Sequence, residues 1–150
     1  MKTFAAIFFI TSISLLGCRL LQRAGSDTSV YNVKYLNSKV FLLENINGYQ
    51  IDADFFSSHL PTLSFHRKEN KITGFAGCNR YFGSYKIMAD SIFFGIIGAT
   101  KMACSHLEIE QKFLSGIGEQ KFRWSIEDEK LMLRNEKNVV ILRLGRNEVH

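Results

Sequence analysis

Three cysteines are the residues of this sequence whose chemistry could carry a function, and Cys78 stands in the stretch GFAGCNRYFGSY, residues 74–85. A nucleophilic thiol needs a nearby base and an electropositive site that lowers its pKa. The histidine nearest in sequence, His66, lies across a predicted turn and belongs to no recognised signature. No G-x-S-x-G or H-E-x-x-H segment occurs either. The sequence therefore predicts no catalytic residue and no cofactor.

Metal binding is a second possible use of the cysteines, because thiolate and imidazole are common zinc ligands. Cys104 and His106 form one closely spaced pair. A structural zinc site needs about four ligands, and nothing in the sequence completes the set, so no metal site is predicted. A disulfide is the third possibility, and it depends on the compartment that the chain reaches.

The N-terminus indicates that compartment. Lys2 precedes the apolar run FAAIFFITSISLLG, residues 4–17, which is shorter than the roughly 20 residues of a membrane-spanning helix. LLGC, which ends at Cys18, resembles the lipobox of bacterial lipoproteins, in which the signal is cut before the cysteine and the cysteine is acylated. We expect residues 1–17 to be a signal peptide and acylated Cys18 to attach the protein to a membrane of the bacterial cell envelope. The alternatives are a plain secretory signal and an uncleaved anchor.

The residue after the acylated cysteine bears on the choice of membrane. Many enterobacterial lipoproteins carry an aspartate there, which retains them in the inner membrane, whereas this chain has Arg19. In a Gram-negative host we therefore expect the outer membrane, with the domain facing the periplasm.

The rest of the chain has the size and charge of one small domain. Loss of Lys2 with residues 1–17 lowers the formal net charge from +5 by one, to +4. Residues 18–33 contain the polar run GSDTS without sustained periodicity, which is typical of a tether, and residues 34–150 form the domain. The basic residues are dispersed, which argues against a nucleic-acid partner. Some attraction to anionic lipid head groups is expected, with the acyl chains dominating attachment.

Apolar alternation after the tether predicts a β-rich domain. Asn47 and Gly48 separate two apolar runs and tolerate positive φ, which predicts a hairpin. A second hairpin is predicted around a charged turn at residues 67–71, with Pro61 at its first strand start. Further strands are expected near 85–87 and 91–94, and closing strands at 122–126, 130–134 and 139–144.

One helix is predicted from SHLEIEQKFLSGIG, residues 105–118. Ser105 and Glu108 have the spacing of a capping box, and Gly116 and Gly118 are expected to end the helix. Its apolar face, which we expect to pack on the sheet, contains Leu107, Ile109, Phe113, Leu114 and Ile117. The order of elements predicts an α+β domain with a curved, mostly antiparallel sheet packed against one main helix.

Nearly the whole domain, from about Lys34 to Gly145, resembles the META domain of HslJ-like bacterial lipoproteins. The matching segments, in the family's order, are VFLLENINGY with Phe41 at the usual tryptophan, LPTLSF, ITGFAGCNRYFGSY, ATKMAC, EQKF and KLMLRNEKNVVILRL. Structural motif positions within them are Gly77, Asn79, Gly83, Thr100 and Met102. The resemblance implies a half-open barrel against a helix and an envelope role often linked to heat or other stress. It brings no established catalytic residue.

A disulfide between Cys78 and Cys104 requires only an oxidising compartment and two free cysteines. The envelope is oxidising, and with Cys18 taken by the lipid these two remain as a pair. Closing a loop across their separation of 26 positions would contribute about 3 kcal/mol. Gly77 and the other glycines nearby would let the backbone bend, and Asn79 is suited to a left-handed conformation.

Glu110 falls inside the apolar face of the helix, where a carboxylate needs a cation or several hydrogen-bond donors. The disulfide would bring Arg80 and Lys101 toward the helix entrance. We expect an ion pair with Arg80 first, because its planar guanidinium can hold a carboxylate through two hydrogen bonds, and otherwise with Lys101. The alternative is that Glu110 lies at the rim and reaches water.

Five large side chains near the motif have two interpretations: Tyr81, Phe82, Tyr85, Met102 and Trp124. Such residues usually form a core, and the other interpretation is a cleft for an acyl chain or a peptide. Three functions follow, in order of preference. The first is a non-enzymatic envelope lipoprotein that binds or supports another envelope protein. The second is a carrier of a small apolar ligand in the mouth of the sheet, and the third is a hydrolase or protease inhibitor in the envelope.

Overall fold

The structure is a computed structural model, and it describes residues 33–37, 39–52, 60–105, 107–137 and 140–146. The predicted signal peptide, Cys18 and the predicted tether up to residue 32 lie outside the described residues, as does His106. The division of the chain into signal, tether and domain therefore stays a prediction.

The described part of the chain contains nine strands and one main helix. The strands are β1 (Val40–Ile46), β2 (Tyr49–Gln50), β3 (Thr62–His66), β4 (Lys71–Phe75), β5 (Arg80–Met88), β6 (Ser91–Ala99), β7 (Lys121–Glu127), β8 (Lys130–Arg134) and β9 (Val140–Arg146). The helix α1 spans Leu107–Ile117, and residues 33–36 form a short helical turn. Among the described residues, no helix combines the length and the apolarity that crossing a membrane requires.

The sheet curves into a ring without forming a regular barrel. Its strand order is β2-β1-β3-β4-β5-β6-β7-β8-β9, and an additional pairing of β1 with β9 closes the ring. All the strand pairings among the described residues are antiparallel. The predicted α+β class, with a curved antiparallel sheet and one main helix, is confirmed.

Residues with positive φ angles occupy the tight turns. Asn47 and Gly48 have φ of 51° and 84° and join β1 to β2, so the first predicted hairpin is confirmed. Asn70 ends the second predicted turn with φ of 52°, which lets β3 and β4 pair from Ser64 opposite Thr73 to the turn. These asparagine and glycine positions adopt the left-handed region at little cost.

β5 and β6 are longer than the sequence predicts. The register between them shifts between Gly83 and Tyr85, where β6 contains a bulge. Gly83 faces inward, and a Cβ there would lie 2.5 Å from Cδ1 of Ile97. The missing side chain therefore makes room for Ile97, and it also interrupts the apolar alternation from which strand ends are predicted.

The interior of the ring is filled with side chains. Aromatic rings contact one another across it, with centroids of Phe65 and Tyr85 5.1 Å apart and those of Phe94 and Phe122 6.0 Å apart. The largest fully buried side chains are Phe41, Phe94, Phe113, Leu36, Leu43, Leu63, Ile72, Ile92, Ile117, Leu131, Leu133 and Leu142. Phe41, at the family's usual tryptophan position, is wholly buried.

The helix α1 packs through Ile109, Phe113 and Ile117, as its pattern predicts, whereas Leu107 is exposed. The carboxylate of Glu108 accepts a hydrogen bond from Lys112 Nζ at 2.8 Å rather than forming the predicted capping box with Ser105. At the other end, Gly118 N donates to Leu114 O, and the residue with positive φ is Glu119 (55°). The left-handed residue after the helix is therefore not one of the two glycines.

Candidate functional site

The loop before β5 and the segment before α1 are joined by a disulfide. Cys78 and Cys104 are bonded, and their α-carbons lie 6.0 Å apart. Sγ of Cys78 also lies 3.3 Å from the carbonyl oxygen of Met102, a contact in which a disulfide sulfur has no proton to donate. The bond fixes the start of β5 against the chain that leads into the helix.

Asn79 supplies the centre of a buried polar cluster beside this disulfide. Its side-chain oxygen accepts hydrogen bonds from Thr100 Oγ1 (2.8 Å) and Met102 N (2.7 Å). Its side-chain nitrogen donates to Met102 O (3.1 Å) and to Glu110 Oε1 (2.9 Å). An asparagine amide offers two donors and two acceptor sites, so the side chain of Asn79 is saturated. It is only 1% exposed.

Glu110 completes the cluster, and its predicted ion pair is wrong in this structure. Its Oε2 accepts a hydrogen bond from Asn79 N at 2.6 Å, in addition to the bond at Oε1. Arg80 and Lys101 are exposed, and the ion pairs among the described residues do not include Glu110. The reason is strand alternation: Arg80 points out of the ring and Tyr81 points in.

The expectation that Glu110 is buried holds, since only 6% of it is exposed. Two N–H donors satisfy its carboxylate in place of a cation. The residue also lies in the first turn of α1, near the positive end of the helix dipole. We call Asn79, Thr100, Met102 and Glu110 the polar clamp.

Two other motif positions have backbone roles. Gly77 has φ of 112°, a conformation that other residues rarely adopt. Asn79 is not among the residues with positive φ, so the expected left-handed conformation at Asn79 is wrong and belongs to Gly77 instead. This bend directs the main-chain N–H of Asn79 toward the helix, where Glu110 accepts it.

Tyr81 anchors the neighbouring strands. Its hydroxyl donates to Thr62 O at 2.7 Å, and burial raises its pKa well above the ordinary value. Thr62 Oγ1 in turn accepts from Phe75 N at 2.9 Å. Gly74 allows this arrangement, because a Cβ there would lie only 2.8 Å from the Tyr81 hydroxyl oxygen. The Tyr81 hydroxyl therefore has a structural role, because its proton is already used in the hydrogen bond to Thr62 O.

The five large side chains near the motif do not form one cleft. Tyr81, Tyr85 and Trp124 are buried in the core, whereas Phe82 and Met102 are exposed. An open cleft of about 600 Å³ lies beside Tyr85, and it is lined by Val33, Arg67, Asn70, Tyr85, Lys86 and Ile87. Burial raises the pKa of Tyr85 and the charge of Arg67 opposes that shift. The cleft is open, and its lining mixes Val33, Tyr85 and Ile87 with two cations and an amide.

The part of the chain that the structure describes holds no group of three or more His, Cys, Asp or Glu residues arranged for a metal. The sequence analysis missed the pairing of Asn79 with Glu110 and the role of Thr100. One signal could have suggested the former, because an acid inside an apolar helix face needs donors and an asparagine next to the bonded cysteine can supply them.

Comparison with known proteins places this arrangement in a family. A family model described as META domain matches residues 34–148. An NMR structure of a protein from Burkholderia xenovorans matches with 23% identity and a TM-score of 0.58, over 77% of this chain and 86% of that chain. A second NMR structure matches with 24% identity and a TM-score of 0.57, over 75% of this chain and 92% of that chain. No curated protein sequence matches significantly.

Proposed function

This chain belongs to the META domain family, and on that premise we propose that it is a non-enzymatic, membrane-anchored lipoprotein of the bacterial cell envelope. Its domain would bind or support another envelope protein, in a role linked to stress by its resemblance to HslJ-like proteins. Acylated Cys18 would provide the anchor, as LLGC and the short apolar run before it indicate.

The non-enzymatic part of the proposal rests on the polar clamp, in which Asn79 and Glu110 already have hydrogen-bond partners within the protein. Catalysis needs a side chain whose proton or lone pair is free to engage a substrate. Asn79 uses all of its side-chain hydrogen-bonding capacity within the protein, and both oxygens of Glu110 accept from Asn79. The thiols of Cys78 and Cys104 are consumed in their bond. The cluster is suited to hold segments together.

The packed interior argues against the carrier alternative. A ligand site for an acyl chain would be a deep, mostly apolar cavity. Among the described residues, large side chains such as Phe41, Phe94 and Phe113 occupy the inside of the ring and are completely buried. The open cleft beside Tyr85 presents Arg67 and Lys86 instead.

The anchor is tested by metabolic labelling with a fatty-acid probe in a bacterial host. The wild-type protein should incorporate the probe and lose residues 1–17, and Cys18→Ser should do neither. Cys78→Ser combined with Cys104→Ser is the matched control and should be labelled like the wild type. Equal labelling of the wild type and Cys18→Ser would overturn the proposed anchor.

The binding role is tested by affinity capture from gently solubilised membranes with the anchor intact. A specific envelope protein should be recovered, and the purified partner should then bind the purified domain. Recovery of a stoichiometric lipid or fatty acid in place of a protein would overturn the supporting role in favour of the carrier.

A further inference from the structure

The outer surface of β5, β6 and β7 displays apolar side chains that soluble domains usually cover. Phe82 on β5 is 64% exposed and Ile96 on β6 is 77% exposed, and Phe93 on β6 is exposed as well. Phe82 lies opposite Gly98 in the ladder, and its ring occupies the space that a Cβ of Gly98 would take. The absent side chain lets the phenyl ring lie flat along the sheet.

Strand register places cations among these apolar groups. Lys86 on β5, Phe93 on β6 and Lys121 on β7 are directly opposite one another in adjacent strands, and all three are exposed. Arg80 and Phe82 are two residues apart on β5, so they point to the same face. We call Arg80, Phe82, Lys86, Phe93, Ile96 and Lys121 the outer face.

The cations of the outer face have no anion of their own within the described part of the chain. None of Arg80, Lys86 and Lys121 takes part in an ion pair there. Two neighbouring acidic residues are already used, since Asp90 pairs with Arg123 at 3.3 Å and Glu69 with Lys71 at 3.0 Å. Glu119, whose main-chain N–H donates to Gly95 O, borders the face and sets one negative charge against its three positive ones. The outer face is therefore apolar and positively charged at once.

We infer that the outer face binds the surface of an anionic lipid bilayer. Aromatic and aliphatic side chains that protrude from a sheet enter the head-group region, while lysine and arginine contact lipid phosphates, and this combination is the chemistry of interfacial membrane binding. A protein partner of ordinary composition would meet an apolar centre with a polar rim, whereas here cations alternate with the apolar groups.

The inference deepens the proposed function, on which its biological setting rests. The 15 residues from 18 to 32 would join the acylated cysteine to the domain. Fifteen residues can span at most about 54 Å when fully extended. The domain would then stay close to the bilayer, so even a weak face would be engaged through its high effective concentration. The anchor and the outer face would together fix the orientation of the domain.

The experiment uses a fragment of residues 30–150, which contains all of the matched residues 34–148 and lacks Cys18. Cosedimentation is measured with vesicles of phosphatidylcholine alone and of phosphatidylcholine with phosphatidylglycerol. We expect binding to the anionic vesicles only, weakened by raised salt. Each cation at an anionic surface contributes about fivefold, so Arg80→Gln with Lys86→Gln should weaken binding about 30-fold. Phe82→Ser with Ile96→Ser should weaken it by about tenfold or more.

Matched controls replace exposed residues elsewhere on the domain. Tyr49→Ser removes a side chain that is 73% exposed, and Lys112→Gln removes an exposed cation from α1; both should bind like the wild type. Every substituted side chain is on the surface, so all variants should fold. Their unfolding midpoints check this.

Three results would overturn the inference. They are absence of binding to anionic vesicles, equal binding by the outer-face variants and the controls, and a dimer in solution that Phe82→Ser with Ile96→Ser dissociates, which would assign the face to a second copy. The proposed anchor is tested separately. A failure of Cys18 labelling leaves the vesicle result unaffected, and absence of vesicle binding leaves the labelling result unaffected.

Discussion

Removing either partner of the buried Asn79–Glu110 contact should destabilise the domain, but by different amounts. Asn79→Ala deletes four side-chain hydrogen bonds and leaves the buried carboxylate with a single donor, the main-chain N–H of residue 79. Glu110→Ala deletes two hydrogen bonds and leaves neutral N–H groups behind. A buried charge without donors is costlier than neutral donors without an acceptor.

The expected losses in the free energy of unfolding follow from the hydrogen bonds that each substitution removes. Four hydrogen bonds at a net value of about 1 kcal/mol each give about 4 kcal/mol for Asn79→Ala, before any further cost for the carboxylate. The two bonds of Glu110 have a charged acceptor and are worth about 1.5–3 kcal/mol each, but removing the carboxylate also removes its desolvation cost. We therefore expect about 2–3 kcal/mol for Glu110→Ala. Glu110→Gln should also destabilise, because its amide nitrogen would face a donor.

Urea unfolding of the 30–150 fragment measures these values. The single tryptophan, Trp124, is buried and reports on the core by its fluorescence. The double variant of Asn79→Ala and Glu110→Ala should show a coupling energy of about 2 kcal/mol. Glu108→Ala is the matched control, since Glu108 lies two positions earlier on α1 and is solvent-exposed; loss of its exposed pair with Lys112 should cost no more than about 0.5 kcal/mol.

Two outcomes would refute this reasoning. A loss below about 0.5 kcal/mol for Glu110→Ala is the size of a surface substitution and would mean that the carboxylate reaches water. Strict additivity of Asn79→Ala and Glu110→Ala would mean that the two side chains do not contact each other.

Three further effects on the same fragment are expected. Serine at both Cys78 and Cys104 should lower the free energy of unfolding by about 3 kcal/mol, and an unchanged midpoint would contradict the constraint. Gly74→Ala should lower the free energy of unfolding by about 1–3 kcal/mol, because its methyl group would collide with neighbouring strands. Gly116→Ala has space for its methyl group and should stabilise α1 by about 0.5–1 kcal/mol. Equal effects of the two substitutions would refute this packing. Burial raises the pKa of Tyr81, so the stability from its neutral phenol is complete below about pH 10 and falls above it by up to about 1.4 kcal/mol per pH unit. Tyr81→Phe should reduce that fall, and an identical pH profile would disprove the assignment.

Local chemistry explains why parts of the fold could be predicted from the sequence. Asn47 and Gly48 favour the turn that they form whatever surrounds them, and the spacing of Ile109, Phe113 and Ile117 predicts a helix with one buried face. The structure has that hairpin and that helix. The order of the elements predicted a curved, mostly antiparallel sheet, and the family resemblance added that the sheet curls as a half-open barrel, which no local pattern indicates.

Features set by tertiary contacts could not be predicted in the same way. Arg80 was the expected partner of Glu110 because charge is visible in a sequence, whereas the direction of a side chain depends on strand register. The partner is instead the neighbouring Asn79, whose amide and main-chain N–H both point inward. Likewise, the bulge in β6 lies between the pairs Gly83–Ile97 and Tyr85–Phe94, and it depends on how the two strands meet, which neither strand's sequence indicates alone.

The distribution of polar groups argues for a domain that acts through its surface. The side chain of Asn79 holds Thr100 and Met102 next to the start of β5, and Glu110 on α1 accepts its two hydrogen bonds from Asn79. Because Met102 is held by its main chain, its side chain is left exposed, close in sequence to the exposed Lys101. The clamp thus keeps the chain rigid where it leaves β6, a strand of the outer face. On the role that we propose, the clamp would hold the apolar and cationic outer face in one arrangement, which suits contact with an extended partner such as a bilayer.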